Sequence, residues 1–257
     1  MRFIYYTIKF IICFSLYIAI FFMFPEIAEK ADELYAGAAN TITALKTEIA
    51  ERRAKNEIER TPEPKEETLT AKTDPNGDII LPGNFVNIHY YNQSDERWGN
   101  EMYGPDNPIS IYGCGPTTLA MLVTSLTGNE INPYDMAKWS YDNGYFCQDS
   151  GSYHSIIPGG ASQWGLTVEA VKDYSPENLQ MLLSTGNLIV VLMGNGHFTE
   201  NGHFILIRGI TLDGKFLIAD SKSYENSQKE WEPLTIIDEA KYGASSNGPI
   251  WAVRYEK

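Results

Sequence analysis

The fold is indicated most strongly by the segment IYGCGPTTLAMLVTSLTG at residues 111–128. Its second half predicts one buried helix, because Pro116 suits a first helical turn and Gly128 suits a helix end. Cys114 comes directly before this helix, between two glycines. Free N–H groups at a helix start favour a thiolate, so Cys114 is a candidate nucleophile. The alternative is an inert, buried cysteine.

Along the folded part of the chain, most predicted helices come first and most predicted strands follow them. The predicted helices lie at 116–128, 133–144 and 175–186, with a weaker one at 153–164. The predicted strands lie at 86–91, 187–193, 203–210, 215–220 and 250–255. Helices followed by antiparallel strands indicate an α+β domain and not a doubly wound parallel sheet.

An apolar run from Phe3 to Phe24 is interrupted only by Lys9. It is long enough to span a hydrocarbon core of ~30 Å. Arg2 and the amino terminus precede the run and acidic residues follow it, which predicts a cytoplasmic N-terminus and an extracellular remainder. We therefore expect residues 1–25 to be a single-pass signal anchor in the cell membrane. A cleaved signal peptide is the alternative, although the small residues at 35–39 lie far beyond the apolar run.

The remaining composition divides the chain into three further parts. Residues 26–60 are rich in helix-forming Ala, Glu, Lys and Arg and predict a helical stalk. Prolines and charges predict a disordered linker over 61–82. Residues 83–257 are expected to form the folded domain. The net charge of −13 argues against nucleic acid as a partner, since phosphate binding needs clustered Lys and Arg.

A nucleophilic thiolate needs a base, and the chain has four histidines. His203 opens the most apolar predicted strand and can face a cleft from there. His197 is expected in a loop and His89 within a strand, so both are weaker candidates. Cys147 and His154 lack the close spacing typical of a zinc site, and we expect no metal or other cofactor.

The base needs an acceptor that orients it, and Asp220 ends the next predicted strand. A hairpin loop from Gly209 to Gly214 would place His203 directly opposite Asp220. A tighter turn at Asp213 and Gly214 would separate the pair by ~13 Å along the strand. Only the wider loop serves catalysis.

Acyl transfer also needs donors for an oxyanion. The backbone N–H of Cys114 is one candidate. The side chain of Gln93 is another, because it follows a strand and precedes a capped turn at 94–98. A surface amide is the alternative for Gln93.

Four segments together resemble a known family: YYNQSDERWGNEMYG, IYGCGPTTLAMLVTSLTG, GHFILIRGI and FLIAD. They are similar to the papain-like cysteine peptidases of the double-glycine-leader, bacteriocin-processing type, and most closely to its stand-alone, secreted branch. The resemblance implies a papain-like fold, in which a helical part carries the nucleophile and an antiparallel sheet carries His and Asp. It implies that Cys114 is the nucleophile, His203 the general base, Asp220 its orienting group and Gln93 the oxyanion-hole residue. Asp95 and Trp98 match positions of the family that look structural.

Two departures from the family stand out. Ser221 follows the aspartate, where family members often have Pro, and no phosphate loop of the GxxxxGK[ST] kind is present. Leader cleavage beside an export ATPase is therefore not the natural assignment.

The expected activity is hydrolysis of peptide bonds outside the membrane through a thiolate and an acyl-enzyme. The expected partners are a peptide or protein substrate and, through the N-terminal helix, the membrane. Three alternatives stay open: an amidase or transpeptidase of cell-wall peptides with the same Cys-His pair, a non-catalytic binding module, and a disulfide between Cys114 and Cys147 that would block the chemistry.

Overall fold

The computed structural model describes residues 71–75 and 77–256. The anchor predicted at 1–25 and the stalk predicted at 26–60 lie outside these residues, as does the first part of the predicted linker. No helix within the described residues is long and apolar enough to cross a membrane.

The described chain alternates short strands and helices before it enters its main sheet. The strands are β1 Lys72–Thr73, β2 Ile79–Leu81, β3 Ile88–Tyr90, β4 Met102–Tyr103, β5 Asn107–Pro108, β6 Phe146–Cys147, β7 Gly151–Ser152, β8 Thr167–Ala170, β9 Leu188–Met193, β10 His203–Ile210, β11 Phe216–Asp220, β12 Glu230–Trp231 and β13 Ile250–Arg254. The α-helices are α1 Ile109–Tyr112, α2 Cys114–Thr127, α3 Pro133–Asp142, α4 Pro158–Gln163, α5 Pro176–Ser184, α6 Tyr224–Ser227 and α7 Pro233–Asp238, and a 3₁₀ turn covers His154–Ile156.

The main sheet is antiparallel, with strand order β12-β11-β10-β9-β13-β8. Side chains alternate between its two faces, so each central strand feeds two cores. Val190 and Leu206 join α2 in one core, whereas Val191 and Ile207 join α5 and α7 in the other. The predicted mixture of helices and antiparallel strands is thus the observed architecture.

Helix α2 is buried on nearly all sides, as its apolar sequence indicates. The run from Leu119 to Val123 has no exposed surface. Pro116 lies in the first turn, and Gly128 ends the helix in the left-handed conformation with φ of 76°. The helix therefore presents its first residue, Cys114, from a rigid element.

The N-terminal part of the described chain differs from the prediction. Residues 71–82 were expected within a disordered linker, but β1 and β2 pair with each other and β2 pairs with β3. The turn between β1 and β2 is closed by Asp74, whose side chain accepts a hydrogen bond from the N–H of Asp78 at 2.8 Å. Strand pairing to β3 therefore orders residues that composition alone assigned to a linker.

The helix predicted at 153–164 is also different. It divides into the 3₁₀ turn and α4, because Pro158 cannot continue the preceding turn and begins a new helix instead.

Candidate active site

Cys114 is the first residue of α2 and is half-buried. The hairpin of β6 and β7 packs closely against this helix start. A Cβ atom on Gly115 would lie too near the hydroxyl of Ser152 to be accommodated, so glycine is required there. The hairpin therefore lies directly against the first turn of α2, which begins with Cys114.

His203 is the first residue of β10, and its side chain is 2% exposed. Its ring lies close enough to the Cys114 sulfur to lower the pKa of that thiol, as do the backbone N–H groups of Phe204 and Gly115. Because Nε2 of His203 is bonded to Asp220, the ring nitrogen left for Cys114 is Nδ1. The structure thus places the predicted nucleophile beside the predicted base.

Asp220 is the last residue of β11 and reaches His203 along a diagonal. Its Oδ1 atom lies 2.6 Å from Nε2 of His203. The directly opposite residue is Ile205, so the expected register, with His203 facing Asp220, is wrong by two residues. Diagonal neighbours on one face remain within reach of long side chains, which is why the contact still forms.

The register differs because the hairpin is built differently from the one predicted. The loop is shorter, closed by the bond from the N–H of Thr211 to the carbonyl of Lys215 at 2.9 Å. A β-bulge at Arg208 then shifts the ladder by one residue between Ile207 and Gly209. Neither the bulge nor its position has a clear signal in the sequence.

Several partners of Asp220 were missed by the sequence reasoning. Its Oδ2 atom accepts from Nδ2 of Asn226 at 3.0 Å, and its Oδ1 atom also accepts from the N–H of Lys222 at 2.9 Å. Its backbone is held by the hydroxyls of Tyr90 and Ser227. The available signal was the capping pattern SYENS at 223–227, which begins the short helix α6 that carries Asn226.

Burial would raise the pKa of the Cys114 thiol, but its environment outweighs that effect. The hydrogen bond and positive charge of His203, together with the N–H groups of Phe204 and Gly115, hold the pKa below its ordinary value. The sulfur is therefore stabilised as a thiolate.

Burial alone would lower the pKa of His203. Hydrogen bonds to Asp220 and Cys114, and the negative charge of both groups, instead raise the pKa to about 9. Burial would raise the pKa of Asp220, whereas its bonds to His203, Asn226 and Lys222 hold it below its ordinary value. The three groups therefore favour a thiolate, an imidazolium and a carboxylate in one chain of contacts.

Gln93 is buried beside the same site. Its Nε2 atom donates to the carbonyl of Ser110 at 2.8 Å and, over a long 3.4 Å, to that of Ile109. Its Oε1 atom accepts from the hydroxyl of Ser221 at 3.2 Å. One N–H of the amide is thus firmly engaged with α1, and the other is held only weakly.

The turn after Gln93 is fixed by the two residues that the resemblance marked as structural. Trp98 donates its indole N–H to the carbonyl of Asn92 at 2.8 Å, and Asp95 accepts from Arg97 at 2.9 Å. These contacts lock the turn next to Gln93. Ser221, which replaces the family's Pro, uses its hydroxyl to orient the Gln93 amide.

The other candidates lie elsewhere. Cys147 is on β6, and both it and Cys114 are free thiols, so the disulfide kept as an alternative is not formed. His197 contacts Glu239, and His154 accepts from Ser245. Within the described residues, no three or more His, Cys, Asp or Glu side chains are grouped to hold a metal ion.

Comparisons with known proteins show what the chain is similar to. No curated protein matches the chain. Among solved structures, a crystal structure from Bacillus anthracis described as a candidate C39-like peptidase is 15% identical, with a TM-score of 0.38, and covers 57% of this chain and 90% of its own. The model of the Peptidase_C39 like family matches residues 85–248. These residues contain Cys114, His203, Asp220 and Gln93, and they form most of the chain. The protein therefore belongs to the Peptidase_C39 like family.

Proposed function

We propose that the protein is a cysteine peptidase that hydrolyses peptide bonds with Cys114 as the nucleophile. The observation that carries the proposal is the grouping of Cys114, His203 and Asp220, in which His203 lowers the pKa of Cys114 and is hydrogen-bonded to Asp220. The family supports a cysteine peptidase type of function, and the geometry supports these residues as its catalytic groups.

The site starts from a charge-separated state. The lowered pKa of Cys114 and the raised pKa of His203 favour thiolate and imidazolium over the neutral pair. A thiolate is the reactive form of cysteine, and the imidazolium beside it is ready to donate a proton.

Acylation begins when the Cys114 sulfur attacks the carbonyl carbon of the scissile peptide bond. The carbonyl oxygen becomes negative, and a new C–S bond forms. His203 then transfers its proton to the departing nitrogen, the C–N bond breaks, and an amine leaves. Neutral His203 and a thioester on Cys114 remain.

Deacylation reverses these roles. His203 takes a proton from water, and the resulting hydroxide attacks the thioester carbon. The C–S bond breaks, the acid product leaves, and Cys114 returns as thiolate beside protonated His203. Asp220 stays ionised and holds the ring in the orientation that both steps require.

Two donors serve the oxyanion in this proposal. The first donor is the backbone N–H of Cys114, because N–H groups at a helix start have no partner within the helix. The second donor is the weakly held N–H of Gln93, which is bonded to the carbonyl of Ile109 only over 3.4 Å. A developing negative charge is a stronger acceptor than that carbonyl and would draw the N–H away.

The proposal includes the placement expected from sequence. The apolar run from Phe3 to Phe24, with Arg2 and the amino terminus before it and acidic residues after it, supports a membrane anchor. The domain then acts on peptides or proteins on the outer side of the membrane.

Labelling with a thiol-directed epoxide tests the nucleophile. The full-length protein, Cys114→Ala and Cys147→Ala are incubated with the epoxide at neutral pH, and the modified peptides are identified by mass spectrometry. We expect rapid labelling of wild type and of Cys147→Ala and none of Cys114→Ala. Equal labelling of both cysteines in wild type would contradict an activated Cys114.

The substrate class is tested separately. Wild type is incubated with an unfolded protein and, in parallel, with purified peptidoglycan. Cleavage of the unfolded protein supports the peptidase, whereas release of wall peptides alone would assign the same dyad to a cell-wall amidase.

A further inference from the structure

The β-bulge at Arg208, on β10, determines whether His203 and Asp220 lie on the same face of the sheet. Pairing from the loop runs Ile210 with Phe216 and Gly209 with Leu217, and resumes beyond the bulge with Ile207 opposite Ile218. Because side chains alternate, one extra residue reverses the face of everything that follows it.

The consequence for the site follows from the register. Without the bulge, Asp220 would lie opposite Leu206 and share its face, and His203 would be on the other face of the sheet. With the bulge, Asp220 lies opposite Ile205. Ile205 and His203 are two residues apart on one strand and share a face, so the bulge is what brings Asp220 to His203.

Arg208 itself holds three segments together at this point. Its side chain is buried, and Nε donates to the carbonyl of Ile218 on β11 at 2.9 Å. One terminal nitrogen donates to the carbonyl of Ser227 at 3.2 Å, and the other donates to that of Pro82. A planar guanidinium can direct donors to three carbonyls at once, which an ammonium group on a flexible stem does less well.

The charge of Arg208 is not used in an ion pair within the part of the chain that the structure describes. Burial lowers the pKa of the guanidinium to about 10, which still leaves it charged at neutral pH. Burying a cation without a carboxylate partner is energetically unfavourable. The three hydrogen bonds to carbonyl groups are what Arg208 contributes at this position.

The contact with Ser227 connects Arg208 to the catalytic aspartate. The hydroxyl of Ser227 accepts from the N–H of Asp220 at 2.9 Å, and Ser227 lies in the same short helix as Asn226, which binds the Asp220 carboxylate. Arg208 thus fixes both the strand that presents Asp220 and the helix that orients it.

Asn84 secures the other side of the bulge. Its Oδ1 atom accepts from the N–H of Ile210 at 2.6 Å, and its Nδ2 atom donates to the carbonyl of Ile210 at 3.1 Å. The segment 82–84 therefore contacts both Arg208 and the residue two positions after it, Ile210.

We propose that Arg208 is a positioning residue that holds Asp220 on the His203 face of the sheet, with Asn84 as its second anchor. This inference rests on the proposed function, in which Asp220 orients the His203 ring for catalysis. Its test does not depend on peptide hydrolysis.

The test is an NMR titration of the His203 ring nitrogens in the full-length protein, compared among wild type, Arg208→Met and Asp220→Asn. Wild type should titrate near 9. In Asp220→Asn, the His203 midpoint should be lower by about one pH unit or more, as expected from loss of an adjacent opposite charge. In Arg208→Met, the His203 midpoint should fall by a large part of that amount.

Arg254→Met is the matched control, because it makes the same change on β13, where the guanidinium pairs with Glu169 and Glu256 at the surface. Its His203 midpoint should equal that of wild type. A wild-type midpoint in folded Arg208→Met, or an equal shift in Arg254→Met, would overturn the inference.

Arg208→Met leaves three carbonyls without donors and can fail to fold. Asn84→Ala then carries the test, since it loosens the bulge without removing a buried charge. A smaller downward shift of the His203 midpoint supports the inference, and an unchanged midpoint overturns it. A protein that shows these shifts but cleaves no peptide would refute the proposed function and leave the positioning role standing.

Discussion

Nε2 of His203 and Oδ1 of Asp220 lie 2.6 Å apart, and neither side chain is appreciably exposed to solvent. A charge-assisted hydrogen bond of this length in a dry environment fixes the plane of the imidazole ring. It also leaves the other ring nitrogen directed to Cys114. The orientation of His203, and through it the charge of the thiol, therefore depends on how firmly Asp220 is held.

The pH dependence of activity follows from the two pKa shifts. The thiolate of Cys114 is present above a pKa that lies below the ordinary thiol value, and the imidazolium of His203 is lost as pH rises through about 9. We expect a bell-shaped profile of kcat/KM with its alkaline limb near 9. Initial rates measured between pH 4 and about 10.5 would show this. An alkaline limb near the ordinary histidine value would contradict the coupled pair.

Asn226→Ala removes the partner of the Asp220 Oδ2 atom. A hydrogen bond to a charged group is worth ~1.5–3 kcal/mol, so we expect kcat to fall roughly 10-fold or more. Asn143→Ala is the matched control, because the Asn143 amide donates to the carbonyl of Trp139 at an exposed helix end. Equal rates for the two variants would show that Asn226 has no part in orienting Asp220.

Gln93→Ala tests the oxyanion donor. Loss of one such donor costs about 10²–10³-fold in kcat, with little change in KM. Ser221→Ala serves as the comparison, since it removes only the hydroxyl that bonds to Oε1 of Gln93. We expect a much smaller loss of kcat there, measured on the same substrate. If both variants lower kcat equally, Gln93 acts only through the packing of its turn.

The nucleophile's element could be predicted because its signals are local. Pro116 marks the first turn of α2 and Gly128 its end, and the apolar residues between them predict burial. The first residue of β10 was also predictable, since the apolar run after His203 sets the strand start. Local signals of this kind fix where an element begins and which residue it presents.

The register of the catalytic hairpin could not be predicted in the same way. The bulge at Arg208 depends on contacts with Pro82 and Ser227, which come from distant parts of the chain. Asn226 was missed for a similar reason, because α6 becomes part of the site only when it packs against β11. The strands at 72–73 and 79–81 likewise form through pairing and not through composition.

The membrane anchor, the helical stalk and the outward orientation remain predictions. The extracellular placement is checked by treating intact cells with protease and following the fragment that carries Cys114. A domain that resists protease in intact cells but not in lysed cells would contradict it.

The central claim is that Cys114 attacks the peptide bond, and hydrolysis of an unfolded protein by wild type, Cys114→Ala and Cys147→Ala tests it most directly. Product peptides are counted by mass spectrometry at equal enzyme concentrations. We predict cleavage by wild type and Cys147→Ala, and a loss of at least about 10⁴-fold in Cys114→Ala, as expected for removal of a covalent nucleophile. Cleavage that persists in Cys114→Ala would contradict the account.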